Sequence, residues 1–121
     1  MTQTKWKVLV VDDERSILNI LRIKLRVAGY EVITASGGLE ALALVDSASP
    51  DIMLLDIIMP DIDGFQVLQD LRSCSNLPVI AFSARPEYAQ KALCLGASDF
   101  LSKPFDVEDL VARIERLLDH R

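Results

Sequence analysis

Apolar residues along this chain follow two periods, and the places where one gives way to the other mark its elements. Residues 7–12 (KVLVVD) form a β-branched apolar run ending in acids, which predicts a strand buried on both faces. From Arg15 the spacing turns helical, with Ile17, Ile20, Leu21, Leu25 and Ala28 on one face and Gly29 as the stop. Residues 31–35 (EVITA) read as a second strand, and Ser36 as the N-cap of a helix over 38–47. A third strand follows at 52–56 (IMLLD), a third helix at 64–73, and a fourth strand at 78–82 (PVIAF). Pro86 suits the first turn of a short fourth helix that Gly96 closes, and 99–101 make a brief fifth strand. The last helix has the clearest face, built from Val107, Leu110, Val111, Ile114, Leu117 and Leu118. Asp106 can cap it, and Glu108 and Asp109 suit the positive end of its dipole.

Strand and helix alternate with short links and no internal linker, so residues 1–121 are expected to form a single α/β domain. The pattern predicts an open parallel sheet with helices on both faces. The expected topology is flavodoxin-like, a (βα)5 doubly wound sheet with strand order 2-1-3-4-5.

Composition narrows the function classes. Half of the 121 residues are apolar and 26% are charged, as expected of a globular domain. Apolar runs reach only about five residues, too short to span a bilayer, and MTQTKWK does not resemble a signal peptide. A cytoplasmic location without membrane association is therefore expected. The net charge is −5, with 13 basic against 18 acidic residues and no basic stripe. Direct nucleic-acid binding by this segment is not expected. Cys74 and Cys94 lack metal-ligand spacing and read as free thiols packed like small hydrophobes. His120 reads as solvated tail.

Sites in open parallel sheets form just past the carboxyl ends of the strands. Those ends carry Asp12, Asp13 and Glu14 after the first strand and Asp56 at the close of the third. Ser83 follows the fourth strand and Lys103 the fifth. Alone, each has an ordinary explanation: acids end strands, serines make turns, lysines face water. Together at one edge they suit phosphoryl chemistry. Crowded carboxylates repel one another unless a cation joins them, and Mg²⁺ is a hard ion that takes oxygen ligands. Asp56 is the candidate nucleophile, since a carboxylate can accept a phosphoryl group as an acyl phosphate. Lys103 offers a positive charge and Ser83 a hydroxyl donor to phosphoryl oxygens.

The ordered segments VLVVDDE, PDIMLLDIIMPDIDG, PVIAFSA and LGASDFLSKPF, with the final amphipathic helix, resemble the receiver domain of two-component response regulators over nearly the whole chain. The resemblance implies that Asp56 takes phosphate from a sensor histidine kinase, a histidine phosphotransfer protein or a small donor such as acetyl phosphate. It implies a regulatory phosphoacceptor that assists its own phosphorylation and dephosphorylation. Mg²⁺ would be held by Asp13, Asp56 and the backbone carbonyl of Ile58, with Asp12 acting through water. Ser83 matches the switch hydroxyl and Phe100 the switch aromatic, and the Lys103-Pro104 bond is expected to be cis. The implied output is a change in the face formed by the fourth helix, fifth strand and fifth helix. That face would control an effector domain beyond Arg121 or a homodimer, with Asp99 and Arg113 serving the dimer contact.

Two features depart from the family pattern. The segment from Ser83 to Lys103 is shorter than expected, by about two residues on the family's usual loop. Ile58 is apolar where some members carry a polar residue, and Ile58 and Arg85 are expected to slow attack by water on phospho-Asp56. Among other readings, a haloacid-dehalogenase-type enzyme needs a second Asp at the position of Ile58. A flavin-binding domain needs a phosphate cradle where Asp12, Asp13 and Glu14 stand. A receiver-like interaction module that is not phosphorylated is the remaining alternative.

Overall fold

A computed structural model describes residues 5–119; His120 therefore lies outside the described residues. Strands β1 (Lys7–Val11), β2 (Glu31–Ala35), β3 (Ile52–Asp56), β4 (Val79–Ser83) and β5 (Asp99–Ser102) alternate with helices. The helices are α1 (Arg15–Val27), α2 (Gly38–Ala48), α3 (Gly64–Arg72), α4 (Ala89–Cys94) and α5 (Val107–Asp119), with a 3₁₀ turn over Pro86–Tyr88 leading into α4. All pairings are parallel, and the strand order is β2-β1-β3-β4-β5.

The three central strands are apolar on both sides because both sides are covered. Leu9, Val11, Met53, Leu55, Val79 and Ala81 point into a core shared with Ala41 of α2, Val67, Leu68 and Leu71 of α3, and Ala92 of α4. Their neighbours Val8, Val10, Ile52, Leu54, Ile80 and Phe82 point the other way, against Leu18, Leu21 and Leu25 of α1 and Leu110, Ile114 and Leu118 of α5. The strand period of two thus divides one sheet between two cores. Each buried leucine on α1 and α5 contributes about 1.5–3 kcal/mol.

Several local expectations need correction. On α1, Leu21 and Leu25 are buried as expected and Ile17 packs beside them, but Leu18 completes the face while Ile20 and Ala28 are exposed. Ile20, Ile23 and Val27 form a second stripe at helical spacing, and all three are exposed. Two overlapping apolar stripes make the phase of the face ambiguous until packing chooses one. Ser36 does not cap α2: the N-cap is Gly37, and Ser36 instead donates from its N–H to Glu40 Oε1 at 2.8 Å. Cys74 and Cys94 are free but exposed, Cys74 in the turn that follows α3 and Cys94 as the last residue of α4. Strand β4 extends through Ser83, which brings that hydroxyl into the sheet.

One side chain joins three segments at the base of the sheet. Arg72, at the end of α3, donates to the carbonyls of Gly96 (2.8 Å from Nη2), Ser75 (3.1 Å) and Leu77 (2.8 Å). It fastens the exits of α3 and α4 to the entry of β4. Hydrogen bonds from a charged donor contribute about 1.5–3 kcal/mol each when desolvated, and less where water competes. Arg72→Met is expected to lower unfolding stability by about 2 kcal/mol, measured by urea denaturation. Arg72→Lys should fail to restore it, since a lysine lacks the planar fork that reaches three carbonyls.

Candidate functional site

The carboxyl edge of the sheet gathers residues from four segments. The ladder between β1 and β2 continues one step past the strand, with Asp12 N–H donating to the Ala35 carbonyl at 3.1 Å. That bond draws Asp12 inside, where it is fully buried. Its Oδ1 accepts from Glu14 N–H at 2.9 Å, and its Oδ2 from Lys103 Nζ at 3.1 Å. Asp56 closes β3 and is also buried. Its Oδ1 accepts from the Ile58 N–H at 3.4 Å, while its Oδ2 lies 3.6 Å from Lys103 Nζ. Asp13 stands at the exposed rim, and oxygens of Asp12, Asp13 and Asp56 all lie within 4.8 Å of one another.

Lys103 is positioned by backbone on one side and a ring on the other. Its N–H donates to the Ser83 carbonyl at 2.8 Å, and its Nζ lies 5.0 Å from the Phe82 ring centroid. The Lys103–Pro104 peptide is cis. Ser83 is fully buried at the end of β4, beside the strand that ends in Asp56, and its Oγ accepts from Arg85 N–H at 3.1 Å. Asp12, Asp13, Asp56, Lys103 and Ser83 thus share one edge.

Ile58 contributes backbone to this edge while its side chain is 49% exposed. Phe100 is not at the edge: it pairs with Ala81, two residues back from Ser83, and packs half-buried on the side of the sheet that carries α2, α3 and α4. Asp99 and Arg113 bind each other within the chain, Oδ1 to Nη1 at 2.9 Å.

Burial pushes the Asp56 carboxyl up to about 7, with the charge of Asp12 adding to the rise. The ammonium of Lys103 and the Ile58 N–H act in the opposite direction. A single lysine therefore leaves the cluster short of positive charge. The donor set is all oxygen, partly open to water at Asp13, and fits a hard divalent cation that keeps some of its water. Asp61 escaped the sequence reading, although its carboxylate reaches the start of α2. Its partners lie more than twenty residues away, beyond any local pattern.

A sign follows for stability. An acid whose pKa rises on folding, from 3.8 to about 7, binds its proton more tightly in the native state. The contribution to stability is present below pH 4 and is lost as pH rises through about 7. In metal-free buffer, Asp56→Asn should therefore melt higher than wild type at pH 8, by the equivalent of up to about 4 kcal/mol. The gap should close at pH 4 to 5, read as melting temperature against pH, and Mg²⁺ should narrow it at pH 8.

Comparison with known proteins gives the same picture. Residues 8–115 match the family described as response regulator receiver domain. A probable transcriptional regulator, ycf27 of Guillardia theta, is 47% identical over 118 residues, covering 96% of this chain and 46% of its own length. The chain thus spans about half the length of the curated relatives it matches. The chemotaxis response regulator CheY4 of Vibrio cholerae superposes with a TM-score of 0.88 at 38% identity, covering 95% of this chain and all of that one. Response regulator TrrA of Thermotoga maritima, solved in complex with Mg²⁺-BeF, gives 0.86 at 33% identity, covering 93% and 99%. The fold, the segment order and these likenesses agree: this chain belongs to the response regulator receiver domain family.

Proposed function

We propose that Asp56 is the phosphoryl acceptor of this receiver domain and that Mg²⁺ is its cofactor. The observation that carries the reading is the placement of Lys103 Nζ between Asp12 and Asp56, with the oxygens of Asp13 close by. Asp13, Asp56 and the Ile58 carbonyl would hold the ion, and Asp12 would hold its water. Bound there, Mg²⁺ supplies charge neutralisation for an electron-rich transferring phosphoryl group.

A carboxylate oxygen of Asp56 forms the new O–P bond as the P–N bond of a phosphohistidine breaks, and the imidazole nitrogen keeps the bonding pair. With acetyl phosphate the bond that breaks is P–O, and acetate leaves. Lys103, already paired to both acids, swings its ammonium onto a phosphoryl oxygen. Ser83 accepts from Arg85 N–H and can give its own hydroxyl proton to another. Phe100 would then turn from its half-buried seat, changing the face of α4, β5 and α5. Phosphorylation is a local charge event, and a two-state packing is needed to spread it.

A groove next to the site suits a phosphodonor protein, a sensor histidine kinase or a histidine phosphotransfer protein. It is apolar, lined by Ile17, Ile20, Pro104 and Phe105, and Lys103 forms part of its wall. The full-length relatives support an effector domain following Arg121, and so a role in controlling transcription. A homodimer through α4, β5 and α5 is the corresponding mode of output. A cytoplasmic site of action goes with that role; among the described residues no helix is long and apolar enough to cross a membrane.

The decisive experiment is exposure to acetyl phosphate with Mg²⁺, read by intact-protein mass. One phosphoryl increment is expected in wild type and none in Asp56→Asn or in wild type with chelator. No increment in wild type would favour an interaction module that is not phosphorylated. Ile58 is exposed at the mouth of the site, and the Arg85 guanidinium lies 5.2 Å from the Tyr88 ring while pairing with Glu87 at 3.3 Å. An apolar side chain at the mouth hinders the approach of water. Ile58→Asn should therefore shorten the lifetime of phospho-Asp56, followed by loss of the mass increment after donor removal; an unchanged or longer lifetime removes that role.

A further inference from the structure

We propose that Asp61 is a positioning residue for the phosphorylation site, holding the loop that carries Ile58 by clasping the first turn of α2. The inference rests on the reading of Asp56 given above.

The loop between β3 and α3 is closed at its base. Gly64 N–H donates to the Ile57 carbonyl at 2.7 Å, and a Cβ at Gly64 would stand 2.7 Å from Ile57 Cα and 2.8 Å from the Asp56 carbonyl oxygen. Residues 58–63 are therefore an excursion anchored at both ends, with Ile58 at its start. That residue gives its N–H to Asp56 at 3.4 Å, and its carbonyl is the group assigned to the cation. The far side of the excursion needs a separate anchor.

Asp61 supplies it. Its Oδ1 accepts from Gly38 N–H at 3.2 Å and its Oδ2 from Leu39 N–H at 3.1 Å. The backbone N–H groups of Ile62 and of Asp61 itself also face the carboxylate, and together these donors outweigh desolvation and hold it below the usual carboxylate range. The N-cap of α2 is Gly37, which has no side chain to offer, so the helix's first turn depends on a cap from elsewhere.

The glycines make the clasp possible by what they lack. A Cβ at Gly37 would lie 2.7 Å from Asp61 Oδ2, and one at Gly38 would lie 2.6 Å from Ile62 Cγ1 and from Val67 Cγ2. The φ of Gly37 is −165°, ordinary extended backbone, so close approach is the reason for glycine at that position. Two successive residues of α2 thus leave room for two successive residues of the loop.

The clasp also connects the two halves of the site. Asp12 is tied to Ala35 of β2 by the bond that continues the ladder, and α2 follows three residues later. Asp56 and Ile58 lie on the loop side. The strands join these halves below, and Asp61 joins them above. Groups that orient metal ligands in this way commonly change metal affinity by about 10–100-fold when removed.

The test uses Asp61→Ala, Asp61→Asn and Gly37→Ala, with Ile114→Val as a remote core deletion that lowers stability without touching the loop. Mg²⁺ alone is titrated against each folded protein, followed by the backbone amide resonances of Asp13 and Ile58, and melting temperatures are recorded alongside. Asp61→Ala should weaken Mg²⁺ binding by about tenfold and slow phosphorylation by acetyl phosphate at subsaturating Mg²⁺. Asp61→Asn, which keeps one of the two acceptor oxygens and turns the other into a donor, should recover only part of the affinity. Gly37→Ala should reproduce part of the loss, because its Cβ displaces the carboxylate. Wild-type affinity in Asp61→Ala, with only the melting temperature lowered, would reduce Asp61 to a helix cap and overturn the proposal. An equal loss in Ile114→Val would overturn it too, by making the effect one of general stability. If wild type itself neither binds Mg²⁺ nor takes a phosphoryl group, the reading of Asp56 fails. The Ile58 amide shift in metal-free Asp61→Ala, partly reversed in Asp61→Asn, then still decides whether the clasp places the loop.

Discussion

Two buried carboxylates side by side are the constraint on which the site depends. Asp12 and Asp56 are withdrawn from water at the ends of adjacent strands, where burial and the charge of Asp12 raise the cost of ionising Asp56. One ammonium, that of Lys103, is shared between them at 3.1 and 3.6 Å. Such an arrangement stores unfavourable charge in the native state. A hard cation would relieve that charge, which is the physical basis of the metal site proposed above. The apolar core keeps this strained edge folded.

The same sheet that creates the repulsion also sets its geometry. Parallel strands bring their carboxyl ends to one side, so Asp12, Asp56, Ser83 and Lys103 meet through backbone pairing alone. At this edge three ladder-like bonds extend the sheet past its strands, Asp12 to Ala35, Ile57 to Phe82 and Lys103 to Ser83, and the first and last seat charged residues of the edge. Beyond Ile57 the loop leaves the sheet, and it is held by Gly64 at its base and by Asp61, a solvent-facing carboxylate, at its tip.

Much of this was legible in the sequence for one reason: strands buried on both faces are uninterrupted apolar runs, and their ends are marked by the first polar residue. Asp12, Asp13, Asp56 and Lys103 could be placed at one edge from that alone, and Ser83 with them. The architecture and strand order followed from alternation. What could not be read were relations without a local period. The burial phase of α1 was partly misjudged because Ile20, Ile23 and Val27 compete with Leu18, Leu21 and Leu25 for the same helix. Ser36 was the best local cap, yet Asp61 from a distant loop took the position. Arg72 looked like any helix-terminal arginine, and its three carbonyl partners come from segments brought near only by folding.

The connection after Ser83 is held by a series of side-chain contacts. Arg85 gives its N–H to the Ser83 hydroxyl and lays its guanidinium 5.2 Å from the Tyr88 ring. Tyr88 meets Phe65 of α3 edge to face at 5.3 Å, and Lys91 of α4 covers the Phe65 ring at 4.4 Å. Each contact of this kind contributes about 0.5–1.5 kcal/mol, so the set holds the turn firmly without locking it. The Ser83 hydroxyl is therefore continuous with a chain of contacts ending on α3, while Phe100 reaches the α4 side through β5. Tyr88 and Phe65 therefore tie the turn after Ser83 to α3, while the Asp99–Arg113 pair ties β5 to α5, so the two ends of the connection between β4 and β5 are held by separate contacts.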